Sequence, residues 1–480
     1  MPRTPLDESA IRRRVADAGQ DHVFRFWSDL PASGRSRLLA ELADVDLEEL
    51  SNLVADLVRG KRQTSLPPGL EPAPFVPLPR TDEEHRRRRQ MQALGEELLS
   101  AGRVAALVVA GGQGTRLGFD APKGTLPIGP VSGRSLFQVF ADAIRAARRT
   151  YGVPIAWYVM TSGAGDRQTR GFFEAHDYFG LPPSDVRFFV QGMMPAVDLG
   201  GRLVLAEKDR LAWNPDGHGG ALRALARTGM LQRMRLDGAD HISYFQVDNP
   251  LVPPLDPVFI GRHAAASSDM SSKMARKRDP AERLGHFCLS QGRLHVIEYS
   301  DMPPDLTRAR RPDGSLRFEA GSIAIHMLSR RFVERLTAQP RFALPFHRAE
   351  KRVACVDEQG RRLEPDKPNA VKFETFIFDA LPLAQDPVVL EVDRAEEFSP
   401  VKEPDGPDSP ASAQRAMVRQ AARRLEEAGA QVPRDASGEP LHRVEINPLA
   451  ARNADELRAV LGRRAIRAVT QDLYLGPPIA

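Results

Sequence analysis

Val109-Ala110-Gly111-Gly112-Gln113-Gly114-Thr115-Arg116-Leu117-Gly118-Phe119-Asp120-Ala121-Pro122-Lys123-Gly124-Thr125-Leu126-Pro127 is the stretch from which the rest of the chain can be read. The apolar run Val104 to Ala110 leads into it, so the pattern is a buried strand entering a glycine-rich loop. Gly111, Gly112 and Gly114 let the backbone approach a ligand and turn its N–H groups toward an anion. Arg116 supplies a planar fork for phosphate, and Lys123, behind the stiff Pro122, a mobile point charge. Ala110, Gly111, Gly112, Gly114 and Thr115 are therefore candidate triphosphate-binding positions, with Arg116 and Lys123 as the cations that act on it.

Two better-known phosphate loops do not fit. A Walker A loop needs Ser or Thr after its Lys, and Lys123 is followed by Gly124. The dinucleotide fingerprint Gly-x-Gly-x-x-Gly fails because Gly112, Gly114 and Gly118 are one residue too widely spaced at the end. A tight strand-to-helix turn that is merely rich in Gly would not also carry Thr115, Arg116 and the Pro122-Lys123 pair.

The bulk numbers narrow the class. A chain of 480 residues holds roughly three domains at about 150 residues each. Hydrophobic content of 42% and charged content of 27% describe a globular protein. No apolar run reaches the roughly 18 residues of a membrane span, and Met1 to Arg14 shows no secretory core. Cys288 and Cys355 are too few for a disulfide framework or a zinc site and read as small buried hydrophobes. These features predict a cytoplasmic protein. A net charge of +4 implies no nucleic-acid footprint, and the basic run Arg86 to Arg89 reads as a solvated helix face. There are nine lysines against 58 arginines. Arg fills most places where any cation serves, which draws notice to Lys123, Lys372 and Lys402, each inside a motif-like segment; Lys61 and Lys208 have no such context.

Residues 1–62 read as helical, with Leu38, Leu39, Leu42 and Leu47, Leu50, Leu53, Val54, Leu57 at three- and four-residue spacings. This region is expected to lie beside the catalytic sheet. The Pro-rich residues 65–80 predict an extended connector. A helix over 82–101 precedes the strand at 104–110. Strands at 154–161, 186–191 and 241–247 then alternate with helices at 167–176 and 219–228. Such alternation indicates an α/β domain with a mostly parallel sheet. After about residue 268 the texture turns antiparallel, with strands at 270–277, 286–290 and 293–299 and a hairpin turn at Gln291-Gly292. This part is expected to cover one side of a pocket. A Pro-, Asp- and Ser-rich loop at 399–412 and an amphipathic helix at 413–428 open a small final lobe.

Asp248 closes the apolar strand of Phe245-Gln246-Val247-Asp248-Asn249-Pro250. A carboxylate at a strand end beside a phosphate loop is a candidate Mg²⁺ ligand, because Mg²⁺ takes one or two carboxylates together with phosphate oxygens. The second glycine-rich turn, Pro215-Asp216-Gly217-His218-Gly219-Gly220, opens a helix, and its N–H groups are expected to hold a sugar or a nucleobase.

The loop at 110–123 resembles the signature of sugar nucleotidyltransferases. The likeness continues in order through Gln191-Gly192-Met193-Met194-Pro195, Val247-Asp248-Asn249, Val296-Ile297-Glu298-Tyr299-Ser300, Lys367-Pro368-Asn369 with Lys372, and Glu397-Phe398-Ser399-Pro400-Val401-Lys402. The chain thus resembles the UTP-dependent sugar-1-phosphate uridylyltransferases, with its strongest likeness to the eukaryotic-type UDP-N-acetylglucosamine pyrophosphorylases. The resemblance implies an α/β protein: a Rossmann-like nucleotidyltransferase domain with a mixed sheet (101–398), a helical N-terminal region (1–100) and a small C-terminal lobe (399–480). It implies UTP and a sugar 1-phosphate as substrates, a UDP-sugar and pyrophosphate as products, and Mg²⁺ as cofactor on Asp248. Gln191 and Gly217 would face the uracil. Gly285 and Glu298 would contact sugar hydroxyls. Lys372 and Lys402 would neutralise phosphates, with Arg116, Lys123 and Lys402 serving the reaction itself. No nucleic acid, membrane or obligate protein partner is implied. Two sugar-facing positions depart from the N-acetylglucosamine pattern, which has Asn where this chain has His218 and Ser322. The glucose and broad-specificity enzymes carry Gly-His-Gly at the first of them, as here, so N-acetylglucosamine 1-phosphate is the expected substrate, with glucose or galactose 1-phosphate, or a non-catalytic nucleotide-sugar-binding homologue, as the alternatives.

Overall fold

The computed structural model describes residues 7–60, 66–339 and 342–477. The chain folds into two compact units, each discontinuous in sequence: residues 1–67, 191–224 and 336–380 form the smaller, and 68–190, 225–335 and 381–480 the larger.

The larger unit is built on a mixed sheet. Strand Val104–Val109 is buried at five of its six positions and Trp157–Thr161 at all five. Such unbroken apolar runs belong to parallel strands covered on both faces. Val186–Val190, Trp157–Thr161, Val104–Val109 and His241–Gln246 lie side by side in that order, all parallel. The first strand in the chain therefore has the second on one side and the last on the other, which makes a topological switch point between Val104–Val109 and His241–Gln246. Beyond it the sheet turns antiparallel through Ala320–Ser329, which pairs with His241–Gln246 and Met270–Arg276. Val388–Glu391 adds a parallel edge to Met270–Arg276. The hairpin of His286–Ser290 and Arg293–Ile297 turns at Gln291-Gly292, with φ of 48° and 74°. Two positive φ values in succession are the signature of a turn matched to strand twist, and Gly suits the second.

The Pro-rich connector is extended, and its chain is stitched to this sheet. Glu71–Pro72 pairs with Leu289 and Cys288, and the Val76 N–H donates to the Val389 carbonyl at 2.8 Å; residue 65 lies outside the described residues. Helix Asp82–Ser100 begins with a Thr81–Glu84 capping box. It crosses helix Pro257–Ala265 at backbone contact: a Cβ on Gly95 would stand 1.9 Å from the Pro257 carbonyl oxygen, and one on Gly261 1.8 Å from that of Met91. Arg86 and Arg87 pair with Glu83 on the solvated face, as the charge pattern predicts. The C-terminal segment has a core of its own, with Leu425, Val444, Leu457, Leu461 and Leu475 at its centre. Glu445 fixes it to the rest of the unit by accepting from the Val131 and Ser132 amides at 2.9 and 2.8 Å.

In the smaller unit, helices Glu8–Asp17, Ala32–Asp44 and Leu47–Leu53 bury Val15, Leu38, Leu42 and Leu50 against Val197, Leu203, Leu211, Val371 and Phe373. Over residues 7–60 the expected helices form; residues 1–6, 61 and 62 of that reading lie outside the described residues. Their apolar faces close on the excursions at 191–224 and 336–380. The boundaries drawn from the sequence (1–100, 101–398 and 399–480) accordingly do not coincide with these units. Linear reading groups neighbours in the chain, whereas burial groups apolar faces that meet.

Candidate active site

Ligands of an open α/β sheet bind beyond the carboxyl ends of its strands at the switch point. Here Val109 and Gln246 are register partners, and the Val247 amide donates to the Val109 carbonyl at 3.1 Å. The glycine loop and Asp248 thus leave the sheet from adjacent strand ends. Ala110 is still part of the sheet, donating to Met160 at 2.8 Å. The loop then doubles back, with the Gly114 amide on the Ala121 carbonyl at 2.9 Å and the Lys123 amide on the Gly112 carbonyl at 3.1 Å. Gly118 takes φ of 69°. Gly124 is explained by packing: a Cβ there would lie 2.2 Å from the Phe137 ring. That packing is why Lys123 is not followed by the hydroxyl of a Walker loop.

Gly112 is different. A Cβ on it would meet nothing within 4 Å, and among the described residues neither the Gly112 nor the Gln113 amide donates to protein. Arg116 sits exposed in the turn Thr115–Leu117, with no ion-pair partner among the described residues. Lys123 is half-buried, and its ammonium donates to the Val401 carbonyl at 3.2 Å. The Val401 amide in turn donates to the Asp248 carbonyl at 2.8 Å. These bonds join Gly112, Lys123, Asp248 and the segment carrying Lys402 at adjacent strand ends. Asn249, which the sequence reading did not assign a role, staples that segment: its Nδ2 donates to the Glu397 carbonyl at 2.7 Å and its Oδ1 accepts from the Ser399 amide at 3.0 Å.

Among the described residues no three His, Cys, Asp or Glu side chains converge as a metal cage. A half-buried lone carboxylate at a phosphate loop fits Mg²⁺, which binds through one or two carboxylates, waters and substrate phosphates.

The three residues assigned to the sugar in this unit also meet. The Ser322 amide donates to the Gly285 carbonyl at 2.8 Å, and the Glu298 Oε1 stands 3.6 Å from where a Gly285 Cβ would be. Beside them lies a pair not read from the sequence. Lys277 is buried, and its ammonium donates to His286 Nε2 at 2.7 Å and to the Leu284 carbonyl at 3.3 Å. Burial pushes the Lys277 ammonium below the ordinary lysine range. His286 is pushed down to about 4, by burial first and by Lys277 second, so it accepts as a neutral imidazole. The scarcity of lysine was the signal that could have drawn attention to Lys277.

Gln191, Gly217, His218 and Lys372 belong to the smaller unit. Gln191 Nε2 donates to the Gly217 carbonyl at 2.8 Å, so these two meet as paired. In the rest of that turn the Gly219 amide donates to the Thr375 carbonyl at 2.9 Å and the Gly220 amide to the Gly217 carbonyl at 3.1 Å, so these two N–H groups are taken by the protein. The His218 ring packs tilted against Phe376 and edge-on against Phe378, with centroids 5.4 and 5.8 Å away, and its Nδ1 accepts from the Ile377 amide at 3.2 Å. Lys372 lies on strand Ala370–Glu374, and burial holds its ammonium below the ordinary range.

Residues 76–407 match the family described as UTP–glucose-1-phosphate uridylyltransferase. The chain is 37% identical to the human UDP-N-acetylhexosamine pyrophosphorylase-like protein 1 over 96% of both chains. It is 34% identical to the UDP-N-acetylglucosamine pyrophosphorylase of Saccharomyces cerevisiae, over 86% of this chain and 90% of that one. A solved uridine diphosphate N-acetylglucosamine pyrophosphorylase from Trypanosoma brucei, in complex with an inhibitor, superposes over the full length of both chains with a TM-score of 0.83 at 27% identity.

Proposed function

The chain belongs to the UTP–glucose-1-phosphate uridylyltransferase family, and from that premise we propose that it joins N-acetylglucosamine 1-phosphate to UTP, releasing pyrophosphate and UDP-N-acetylglucosamine. The reaction class is that of a UDP-sugar pyrophosphorylase. The observation that carries it is the crevice at the switch point, where a glycine loop with an open face, Lys123, Asp248 and the Lys402 segment converge.

The chemistry follows from charge. A phosphate oxygen of the sugar 1-phosphate attacks the α-phosphorus of UTP, and the bond to the β-phosphate oxygen breaks in line with it. The nucleophile is already an anion, so no general base is required. The barrier lies in bringing two polyanions together and in spreading charge at the α-phosphate, which positioned cations lower. Gly111, Gly112 and Thr115 cradle the triphosphate, while Gly114, whose amide is held by the Ala121 carbonyl, shapes the turn. Arg116 and Lys123 take the charge that develops on the departing pyrophosphate. Lys402, with Lys372 on the resemblance alone, neutralises the remaining phosphate charge. Mg²⁺ bound at Asp248 would screen phosphate oxygens from one another. Gln191 and Gly217 are proposed for the uracil, again on the resemblance.

Gly285, Glu298 and Ser322 form the proposed sugar contacts. The names of the yeast and trypanosomal relatives support N-acetylglucosamine. Among the described residues no helix is long and apolar enough to cross a membrane; a cytoplasmic location is proposed on the two unpaired cysteines. The test is pyrophosphate release from UTP and Mg²⁺ with N-acetylglucosamine, N-acetylgalactosamine, glucose and galactose 1-phosphates. Release confined to the N-acetyl sugars is expected. Preference for glucose or galactose 1-phosphate would reassign the sugar, and release with none would remove the reading.

A further inference from the structure

We propose that Lys273 is a positioning residue whose single ammonium clamps together the two segments that carry Asp248 and Lys402; the inference rests on the uridylyltransferase reading of that crevice. Lys273 lies on strand Met270–Arg276 and is wholly buried. Its ammonium is 2.6 Å from Asp256 Oδ2 and 2.5 Å from Glu397 Oε2. Asp256 lies 17 residues before Lys273 in the chain and Glu397 124 residues after it, so linear reading does not join the three.

Their neighbours in sequence are what matter. Asp256 caps helix Pro257–Ala265 through the Val258 amide at 2.9 Å and stands at the far end of the turn that Asp248 begins. Glu397 stands at the start of the run that ends in Lys402. Between these anchored ends the two segments are laced together. Asn249 bridges the Glu397 carbonyl and the Ser399 amide, Val401 donates to the Asp248 carbonyl, and Lys123 donates to the Val401 carbonyl. Every lacing bond requires the two segments to lie at one fixed separation, and the ammonium sets it at their anchored ends. Lys273 is one of nine lysines in a chain of 58 arginines. The ammonium itself is fully buried, with the Phe259 ring 5.2 Å away, and reaches both carboxylates as a compact point charge; Asp256 and Glu397 are half-buried and line an open cavity together with Arg88.

A structural explanation competes, because removing the amine alone leaves two half-buried carboxylates facing each other without their cation and lowers stability. The decisive variant therefore neutralises the whole triad: Lys273→Met with Asp256→Asn and Glu397→Gln. Asn at 256 still caps the helix. This protein is expected to fold, since near-isosteric neutral side chains leave no uncompensated charge behind. Its turnover should nevertheless fall by about 100-fold, the effect of small displacements at a reacting centre, with the KM for sugar 1-phosphate changed less than the turnover. The Ser399 and Val401 amides should exchange with solvent at least about tenfold faster. Wild-type turnover in the folded triple variant overturns the proposal, and so does unchanged exchange at those two amides. If wild-type protein releases no pyrophosphate with any sugar 1-phosphate, it is the uridylyltransferase reading that falls, and the exchange comparison still decides whether Lys273 orders the segment. Should the triple variant not fold, Glu397→Gln alone, which keeps the amine paired with Asp256, takes its place with the same two readouts.

Discussion

The two glycine-rich turns look alike in the sequence and differ in the structure at Gly112, although Gly114 of the first is packed as the second turn is, a Cβ there standing 2.6 Å from the Phe119 carbonyl oxygen. At 111–114 a side chain on Gly112 would meet open space within 4 Å, and its amide is not used by the protein. At 217–220 a Cβ on Gly217 would stand 2.3 Å from the Thr375 carbonyl oxygen, one on Gly219 2.7 Å from the Phe376 carbonyl carbon, and one on Gly220 2.1 Å from Asp216 Oδ1. The second turn is glycine because its own chain packs there; Gly217 also holds φ of 83°, a left-handed conformation that penalises a side chain. Nothing in the protein demands a glycine at 112, so a ligand that must come close to the backbone is the remaining physical reason for it. Glycine content alone does not separate a binding loop from a packing turn. What stands where the missing side chain would be does.

The cations of the open turn should show the largest effect. Lys123→Ala or Arg116→Ala is expected to lower turnover about 10²- to 10⁴-fold, the range seen when a preorganised charge is removed from developing phosphate charge. Arg116 is exposed and unpaired among the described residues, so its loss should leave the melting temperature unchanged. Near-normal pyrophosphate release in either variant would remove the triphosphate assignment.

Glycine substitution tests the contrast directly. Gly112→Ala should fold as wild type and lose about tenfold or more in kcat/KM for UTP, because the new methyl group lies where the ligand's phosphates approach. Gly220→Ala should lose roughly 1–3 kcal/mol of stability, the typical cost of overpacking, since the carboxylate of Asp216 must move. Measuring melting temperature and kcat/KM on both variants distinguishes the cases. A destabilised Gly112→Ala, or a stable Gly220→Ala with weak UTP use, would reverse the comparison.

The sequence made the open turn legible because its chemistry is local: strand, glycines, Thr115, Arg116, Pro122 and Lys123 are contiguous. Asp248 was legible for the same reason, as the end of an apolar run. The parallel strands and the 291–292 turn could be read from burial runs and glycine placement. What could not be read depends on distant segments meeting. The Lys273 triad joins residues 256, 273 and 397; Lys277 finds His286 only through the antiparallel pairing of Gly321 with His286; and the smaller unit forms because the faces of Leu38 and Leu42 meet Val197 and Phe373. His218 was placed by motif at the sugar, while the structure shows its ring engaged with Phe376, Phe378 and the Ile377 amide.

Acid should separate the units. His241, His263 and His286 all lie in the larger one, and burial pushes them down to about 4, 3 and 4. An unfolded histidine titrates near 6.5. Each therefore binds more protons when unfolded, so its stabilisation is complete above about pH 6.5 and is lost as pH falls toward the folded values. The loss reaches at most about 1.4 kcal/mol per pH unit per histidine. In the smaller unit His22 is also lowered by burial. Melting followed from pH 7.5 to 4.5 should fall below about 6.5, with exchange rising first in strand His241–Gln246. A flat profile would contradict burial of neutral imidazoles there.

The smallest effect concerns the sugar. Ser322 donates its amide to Gly285 and stands in the cluster with Glu298, whereas His218 is occupied by ring packing and a backbone bond in the other unit. Both replace the Asn of the N-acetylglucosamine pattern, but only Ser322 sits among residues assigned to the sugar in its own unit. Ser322→Asn should therefore change the ratio of kcat/KM for N-acetylglucosamine against glucose 1-phosphate by several-fold, the range of one hydrogen-bonding side chain worth about 1 kcal/mol, without moving the melting temperature. His218→Asn should act the other way, lowering stability through lost ring contacts with little change in that ratio. The two substitutions together carry the contrast of the glycine turns into specificity: a residue committed to its own packing has little freedom to choose a substrate. A shifted ratio in His218→Asn with an intact fold would show that the packed turn selects the sugar after all.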